Sequence, residues 1–188
     1  MPRAADEPAF RSDDRTDGSA VSNEREPVLL RVSTAVFRDD TILLCRRLDD
    51  RDPTWVLPGG TPRRGEGAAN CARREVAEET GLQIGPDRVA FVLETTSPDA
   101  SHHLVEIVFM ALLRDAHVEL TGAEPHLQPE FIGLDELGSI NLLPPIAGYL
   151  RGLARRMTRL DPTHATAAYL GNIWRATGSP SDATEVER

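Results

Sequence analysis

Residues 60–82 read Gly60-TPRRG-Glu66-GAANCAR-Arg74-Glu75-Val76-Ala77-Glu78-Glu79-Thr80-Gly81-Leu82. From Glu66 onward the run is rich in Ala, Glu and Arg, all good helix formers. Gly81 stands where a helix closes on a glycine in the left-handed conformation. The stretch therefore predicts a glycine-rich loop entering a helix over 66–80. At 100° per residue, Ala69, Ala72 and Val76 share one stripe, and Glu75, Glu78 and Glu79 fall in a neighbouring sector. The first stripe is expected to pack on a sheet and the second to face a cavity. Ala68 projects between Glu75 and Glu79, and its small side chain leaves room for a ligand beside the carboxylates.

Three glutamates in one sector repel one another, at a cost of about 0.2–0.5 kcal/mol for each neighbouring pair. Something cationic should compensate. Arg74 can pair with Glu78 at i,i+4, and hard divalent cations such as Mg²⁺ favour clustered carboxylate oxygens and bind substrate phosphates through them. The glycine-rich entry offers backbone carbonyl and N–H groups near the helix start, with no Cβ in the way.

The stretch resembles the Nudix box at every position: glycine, five residues, glutamate, seven residues, then Arg-Glu-apolar-x-Glu-Glu-x-Gly-apolar. The WVLPGG lead-in, the hairpin before it and the later FIGLDEL resemble the family more loosely. The resemblance implies an α/β fold, an α/β/α sandwich with a mixed β-sheet, a loop-helix catalytic box and a C-terminal amphipathic helix. It also implies hydrolysis of a nucleoside diphosphate linked to another moiety, with Mg²⁺ as cofactor and Mn²⁺ able to substitute. Glu75, Glu78 and Glu79 look like the metal ligands, Glu79 foremost. The Gly60 carbonyl completes the metal shell, Glu66 belongs to the metal set through the loop-helix junction, and Arg74 orients the glutamates. The catalytic set is then Arg74, Glu75, Glu79 and Glu130, the last matching where some members place an additional metal-binding glutamate.

Outward from the box, VLLRVSTAVF and TILLCRR flank the turn-prone Asp39-Asp40 and read as a β-hairpin. WVLPGG is a short strand ended by Pro58 and its glycines. VAFVLETT and LVEIVFMALL are strand-like, HVEL is a further short piece, and FIGLDEL reads as strand into helical turn. PIAGYLRGLARRM carries Ile146, Leu150, Leu153 and Met157 at helical spacing behind two prolines, so it is an amphipathic helix. Residues 1–26, rich in Arg, Asp, Glu, Ser and Pro, are expected to be a disordered tail. The domain is then expected over 27–160, with 161–188 a helix or turn extension and tail.

The 188 residues suit one domain. The N-terminus lacks the apolar stretch of a secretory signal and no long apolar run exists, so the expectation is a cytoplasmic protein without a membrane partner. Cys45 and Cys71 read as free, buried thiols. A net charge of −9 disfavours a nucleic-acid polymer. A small nucleotide-derived substrate remains compatible, because a bound metal can override the global charge locally.

Substrate choice rests on weaker signals. Pro98, sixteen positions after Leu82, resembles a marker of ADP-ribose pyrophosphatases in the family, although SPDAS is also simply a turn. Arg46 and Arg47 could reach a terminal phosphate. Phe37 and Trp55 are candidates for base stacking, with core packing the alternative. His102 and His103 read as solvent-facing rather than zinc ligands. The leading expectation is hydrolysis of ADP-ribose, or a related compound, to AMP and a sugar phosphate. The alternatives are a (d)NTP pyrophosphohydrolase releasing pyrophosphate and, from another class, a non-catalytic ADP-ribose sensor. A homodimer is compatible with the resemblance.

Overall fold

The computed structural model describes residues 27–49, 51–113, 119–122, 124–158 and 167–174. The expected N-terminal tail, and His117 and Val118 of HVEL, lie outside these residues. The elements are β1 (Leu29–Arg38), β2 (Thr41–Arg47), β3 (Thr54–Val56), β4 (Gly59–Gly60), α1 (Ala68–Thr80), β5 (Arg88–Thr96), β6 (His103–Leu112), β7 (Leu127–Gly133), β8 (Asn141–Leu142), α2 (Ala147–Thr158) and β9 (Ala168–Asn172). A 3-10 turn, Glu136–Gly138, follows β7.

The strands form one mixed sheet in the order β8-β3-β2-β1-β6-β5-β9, with β4 added to β1 and β7 to β2. β1 runs parallel to β6 and antiparallel to β2. The hairpin at Asp39-Asp40 is real but short. Only Phe37↔Ile42 and Arg38↔Thr41 pair, after which β1 takes up β4 and β2 takes up β3. The two strands thus part like a fork, and the fork is where the site forms.

Alternation along the strands sends apolar side chains to both faces. Ala35, Phe37, Ile42, Leu44, Val108 and Met110 pack with Ile146, Leu150 and Leu153 of α2. Val36 and Leu43 point the other way onto Val76 and Leu82. Val32 and Phe109 meet Cys71 and Ala72 of α1. A helix therefore covers each face, the layered arrangement such two-sided strands demand.

Several expectations shift. α1 begins at Ala68, because Glu66 spends its carboxylate closing the preceding turn on the Arg63 N–H. Its buried face is Cys71, Ala72, Glu75, Val76, Glu79 and Thr80. Ala69, expected on the packed stripe, is exposed. β7 starts at Leu127, earlier than FIGLDEL implied, and runs through Pro129. In the segment 161–188, read as helix or turn extension, residues 168–172 form β9 beside β5. Glu119 and Leu120 carry no strand. No helix among the described residues is long and apolar enough to cross a membrane.

The packing of α2 makes a direct prediction. Leu150 is fully buried and Tyr149 is 38% exposed. Leu150→Ala should cost about 2–5 kcal/mol in urea unfolding, and Tyr149→Ala should stay within about 0.5 kcal/mol. Equal effects would mean that α2 docks by another face.

Candidate functional site

Arg74 organises the acidic side of α1. Its Nε and Nη2 donate to the two Glu66 oxygens, each at 2.8 Å. Its Nη1 donates to Glu75 Oε1 at 2.7 Å and to Glu78 Oε2 at 2.9 Å. Charge-assisted forks of this kind are the strong hydrogen bonds of proteins. They hold the Glu66 carboxyl down at about 2 and raise Arg74 further above its ordinary value. Glu78 also accepts from Arg63 at 3.1 Å and is the most exposed of the α1 glutamates.

Glu79 is the exception, since Arg74 does not touch it. It is 5% exposed, accepts from the Gly59 N–H at 2.9 Å, and has the Cys45 thiol 3.9 Å away. Burial raises its carboxyl to about 7, with the charges of Glu124 and Glu75 adding to the rise and the Gly59 N–H and Arg31 opposing it. Burial and the nearby glutamate also push the Cys45 thiol well above its ordinary range, and Cys71 rises to about 11. Both cysteines are free and buried, the inert thiols expected from the sequence.

The Gly59–Gly60 backbone presses directly on this cluster. A Cβ at Gly60 would lie 2.5 Å from the Glu75 carboxyl carbon. The Gly60 carbonyl has the Cys71 thiol at 3.8 Å. Glu75, Glu79 and the Gly60 carbonyl are oxygen donors on neighbouring elements, α1 and β4. Glu79 is a buried carboxylate with no ion pair among the described residues, and a hard divalent ion suits such donors. Among the described residues no three His, Cys, Asp or Glu side chains already surround one point. The reason is visible: Arg74 draws Glu66, Glu75 and Glu78 toward itself while Glu79 turns to Gly59.

Glu79 opens into a cleft of about 520 Å³ in the fork between β1 and β2. Arg31, Glu106, Arg47, Glu124, His126, His102 and Trp174 all line it. Arg31 and Glu106 are register partners on β1 and β6, 3.6 Å apart. Ser33 also donates to Glu106, and Arg31 Nη2 reaches the Leu57 carbonyl at 3.2 Å. Glu124 pairs with His126 at 3.1 Å. A second cavity, lined by Phe37, Asp39 and Arg151, lies at the hairpin turn against α2, away from the glutamates.

Of the residues singled out from sequence, the structure brings together Gly60, Glu66, Arg74, Glu75, Glu78 and Glu79. Glu130 does not join them. It is in register with Leu44, so it stands on the α2 side of the sheet and is exposed, whereas Glu79 approaches Cys45 on the other side. The same alternation separates the two arginines: Arg47 lines the cleft, and Arg46 pairs with Trp55 facing α2. Phe37 and Trp55 are core residues packed toward α2. Pro98 is exposed on its turn and outside the cleft lining. His103 is partly buried beside Glu94 at 3.4 Å, and His102, expected to face solvent, lines the cleft. Glu124, Arg31, Glu106 and Trp174 were not anticipated. The carboxylate outside the box that lines the cleft is Glu124, six residues before Glu130.

The β5–β6 turn that carries His102 is tied by Asp99, which accepts from Ser97 Oγ at 2.6 Å, Ser101 Oγ at 2.8 Å and Ser101 N at 3.2 Å.

The family model for the NUDIX domain matches residues 28–154. "Putative ADP-ribose pyrophosphatase YjhB" of Bacillus subtilis (strain 168) is 34% identical over 96 residues, 50% of this chain and 45% of that protein. The chain thus spans less than half the length of that relative. "Putative 8-oxo-dGTP diphosphatase 2" of Mycobacterium tuberculosis (strain ATCC 25618 / H37Rv) is 28% identical over 134 residues, 67% of this chain and 88% of that protein. Among solved structures, a NUDIX hydrolase from Nitrosomonas europaea superposes with a TM-score of 0.61 at 20% identity, covering 78% of this chain and 81% of its own. An ADP-ribose pyrophosphatase from Streptococcus suis 89-1591 gives 0.59 at 24%, covering 76% and 99%. At these identities the structures speak to the fold alone.

The Asp99 turn carries a pH prediction. The three hydrogen bonds lower its carboxyl from 3.8 to about 2. A depressed folded value means that the stabilisation is complete above the unfolded value and is lost as pH falls through the folded one. The stability difference between wild type and Asp99→Asn should therefore be constant at neutral pH and shrink between about 4 and 2. An NMR titration midpoint of Asp99 close to its ordinary value would show the turn to be untied.

Proposed function

This chain belongs to the NUDIX hydrolase family, and from that premise we propose that it is a Mg²⁺-dependent pyrophosphohydrolase of nucleoside diphosphate derivatives. The observation that carries the reading is Glu79, a buried carboxylate beside Glu75 and the bare Gly60 backbone, opening into a cleft lined by arginines. Glu75, Glu79 and the Gly60 carbonyl would hold the cation, with Glu78 released from Arg63 and Arg74 to join them. Bound there, a divalent ion supplies charge neutralisation for the phosphoanhydride oxygens and acidifies the attacking water.

The chain's own residues do the rest. Arg31 and Arg47 attract and orient the phosphates from the cleft wall, a positioning role to which arginine is suited. Glu66 keeps Arg74 fixed, so that Arg74 in turn sets Glu75. Glu124 faces the cleft beside Glu79, with His126 on its carboxylate. It can accept the proton of the water that attacks phosphorus, the role for which Glu130 is misplaced. Attack breaks one P–O–P bond and leaves two phosphate monoesters when the second half is a sugar phosphate.

For the substrate, the reading is ADP-ribose or a related compound, giving AMP and a sugar phosphate. It is supported by the ADP-ribose pyrophosphatase named among the relatives. The second reading is a (d)NTP pyrophosphohydrolase, favoured by the relative named as an 8-oxo-dGTP diphosphatase, most of whose length the chain spans. Mn²⁺ would serve as a substitute metal. The products decide between them, because a triphosphate cut at its α–β bond yields a monophosphate and pyrophosphate. Incubating ADP-ribose, NADH, nucleotide sugars, dinucleoside polyphosphates and (d)NTPs with Mg²⁺, and resolving the products by chromatography, is the test. Pyrophosphate from (d)NTPs far in excess of AMP from ADP-ribose would replace the first reading by the second. Binding of ADP-ribose without turnover of anything would favour a sensor.

Removing the charge of Glu79 without changing its volume tests the site itself. Glu79→Gln should lower kcat by about a hundredfold or more, the scale lost when one charge-stabilising group leaves an active site, with the fold intact by circular dichroism. Near-wild-type turnover would reject the assignment. EDTA should abolish activity reversibly.

A further inference from the structure

The cleft has a wall that the hydrolytic chemistry leaves unused. Trp174 follows β9 and is 38% exposed, although a large indole ordinarily finds cover. Its ring lies against His102, with centroids 5.5 Å apart and planes tilted by 42°. A flat ring held between two others needs about 7 Å, two contacts of about 3.5 Å each. The two rings therefore make one continuous surface, and both line the cleft. Apolar neighbours extend it: Leu104, Leu143 and Ile173 line the same cavity.

This wall is held in place by hydrogen bonds that involve its backbone. The Asn172 side chain accepts from Thr96 N and Trp174 N, each at 3.0 Å, and donates to the Thr96 carbonyl at 3.2 Å. Ile173 N donates to the Glu94 carbonyl at 2.9 Å. Gly171, at φ +74°, sits where the β5·β9 register shifts, a left-handed conformation that glycine adopts without strain. The backbone that carries Trp174 is thus fixed at the cleft, and the indole belongs to a contiguous apolar lining with Leu104, Leu143 and Ile173.

We propose that the Trp174–His102 surface binds the nucleobase of the substrate, so that β9 supplies the specificity element for the base while α1 supplies the chemistry. A heteroaromatic ring stacks on the indole, with the apolar wall covering its other contacts. A bare sugar has no π-face for such a wall. The proposal rests on the reading of a nucleotide-derived substrate given above.

The test uses the protein's own fluorescence. It has two tryptophans, and Trp55 is buried in the core under α2, so a response to ligands in the cleft reports Trp174. AMP should quench the emission saturably, ribose 5-phosphate should not, and Trp174→Leu should lose the response. In steady state, Trp174→Leu should raise KM for the best nucleotide substrate about tenfold, the scale of one lost base-stacking contact. kcat should change by less than about twofold, the signature of a contact made equally in ground and transition states. Trp174→Phe, which keeps a π-face, should restore most of the loss. Equal quenching by AMP and ribose 5-phosphate, no quenching at all, or an unchanged KM in Trp174→Leu would overturn the proposal. Nucleotide hydrolysis without a Trp174 response leaves the hydrolase standing and removes this wall. Saturable AMP quenching with no turnover of any substrate does the reverse.

Discussion

Two glycines with no room for side chains hold this site together. A Cβ at Gly59 would sit 2.3 Å from the Val32 carbonyl oxygen, and one at Gly60 would sit against the Glu75 carboxylate. Forcing such a contact typically costs about 1–3 kcal/mol in displaced neighbours. The backbone of β4 is thus a thin spacer between β1 on one side and α1 on the other. Because nothing wider intervenes, the Gly59 N–H can reach Glu79, and the acidic helix can lie against the sheet with its carboxylates at the fork. The short β1–β2 hairpin follows from the same constraint, since β1 cannot pair with both β2 and β4 over the same residues.

Placing several carboxylates on one buried helix face is unfavourable unless each finds a partner. The chain solves this unevenly. Arg74 satisfies Glu66, Glu75 and Glu78 through its planar fork. Glu79 is left with a backbone N–H and a thiol, and its carboxyl rises accordingly. The asymmetry divides the labour: one arginine keeps the cluster assembled, and one poorly compensated carboxylate is the point at which a cation gains most. Satisfying all four from Arg74 would have made a stable surface with little affinity for metal.

The box was legible in the sequence because its logic is local. Helical spacing alone places Glu75, Glu78 and Glu79 in one sector, Arg74 within reach of Glu78, and Gly81 at the helix end, where the structure has it at φ +77°. The two-faced strands and the amphipathic α2 were legible for the same reason. What local spacing could not place depended on register between distant segments. Whether Glu130 faces Glu79 or α2 is decided by which β2 residue it opposes, and a shift of one residue reverses the answer. Arg46 and Arg47 were a single candidate until β3 fixed which of them shares a face with Trp55. Strand β9 gave little warning, since AYLGN contains a glycine and lies next to a polar terminal stretch. Its pairing with β5 across more than seventy residues is a tertiary event that local propensity does not encode.

The residues around the cleft come from the parts of the chain that the box does not constrain. Arg31 from β1, Glu106 from β6, Glu124 from the segment before β7 and Trp174 after β9 meet only because the sheet brings their strands to one end. None of them contacts Arg74 or lies in β4, although Arg31 and Glu106 both bond Ser33, which packs on Gly59. A fold built in this way can keep its reaction while its ligand changes. That fits a chain whose relatives carry the names of both an ADP-ribose pyrophosphatase and an 8-oxo-dGTP diphosphatase. The box occupies twenty-three consecutive residues, 60–82, whereas the cleft beside it is lined from four places that only the folded sheet makes neighbours.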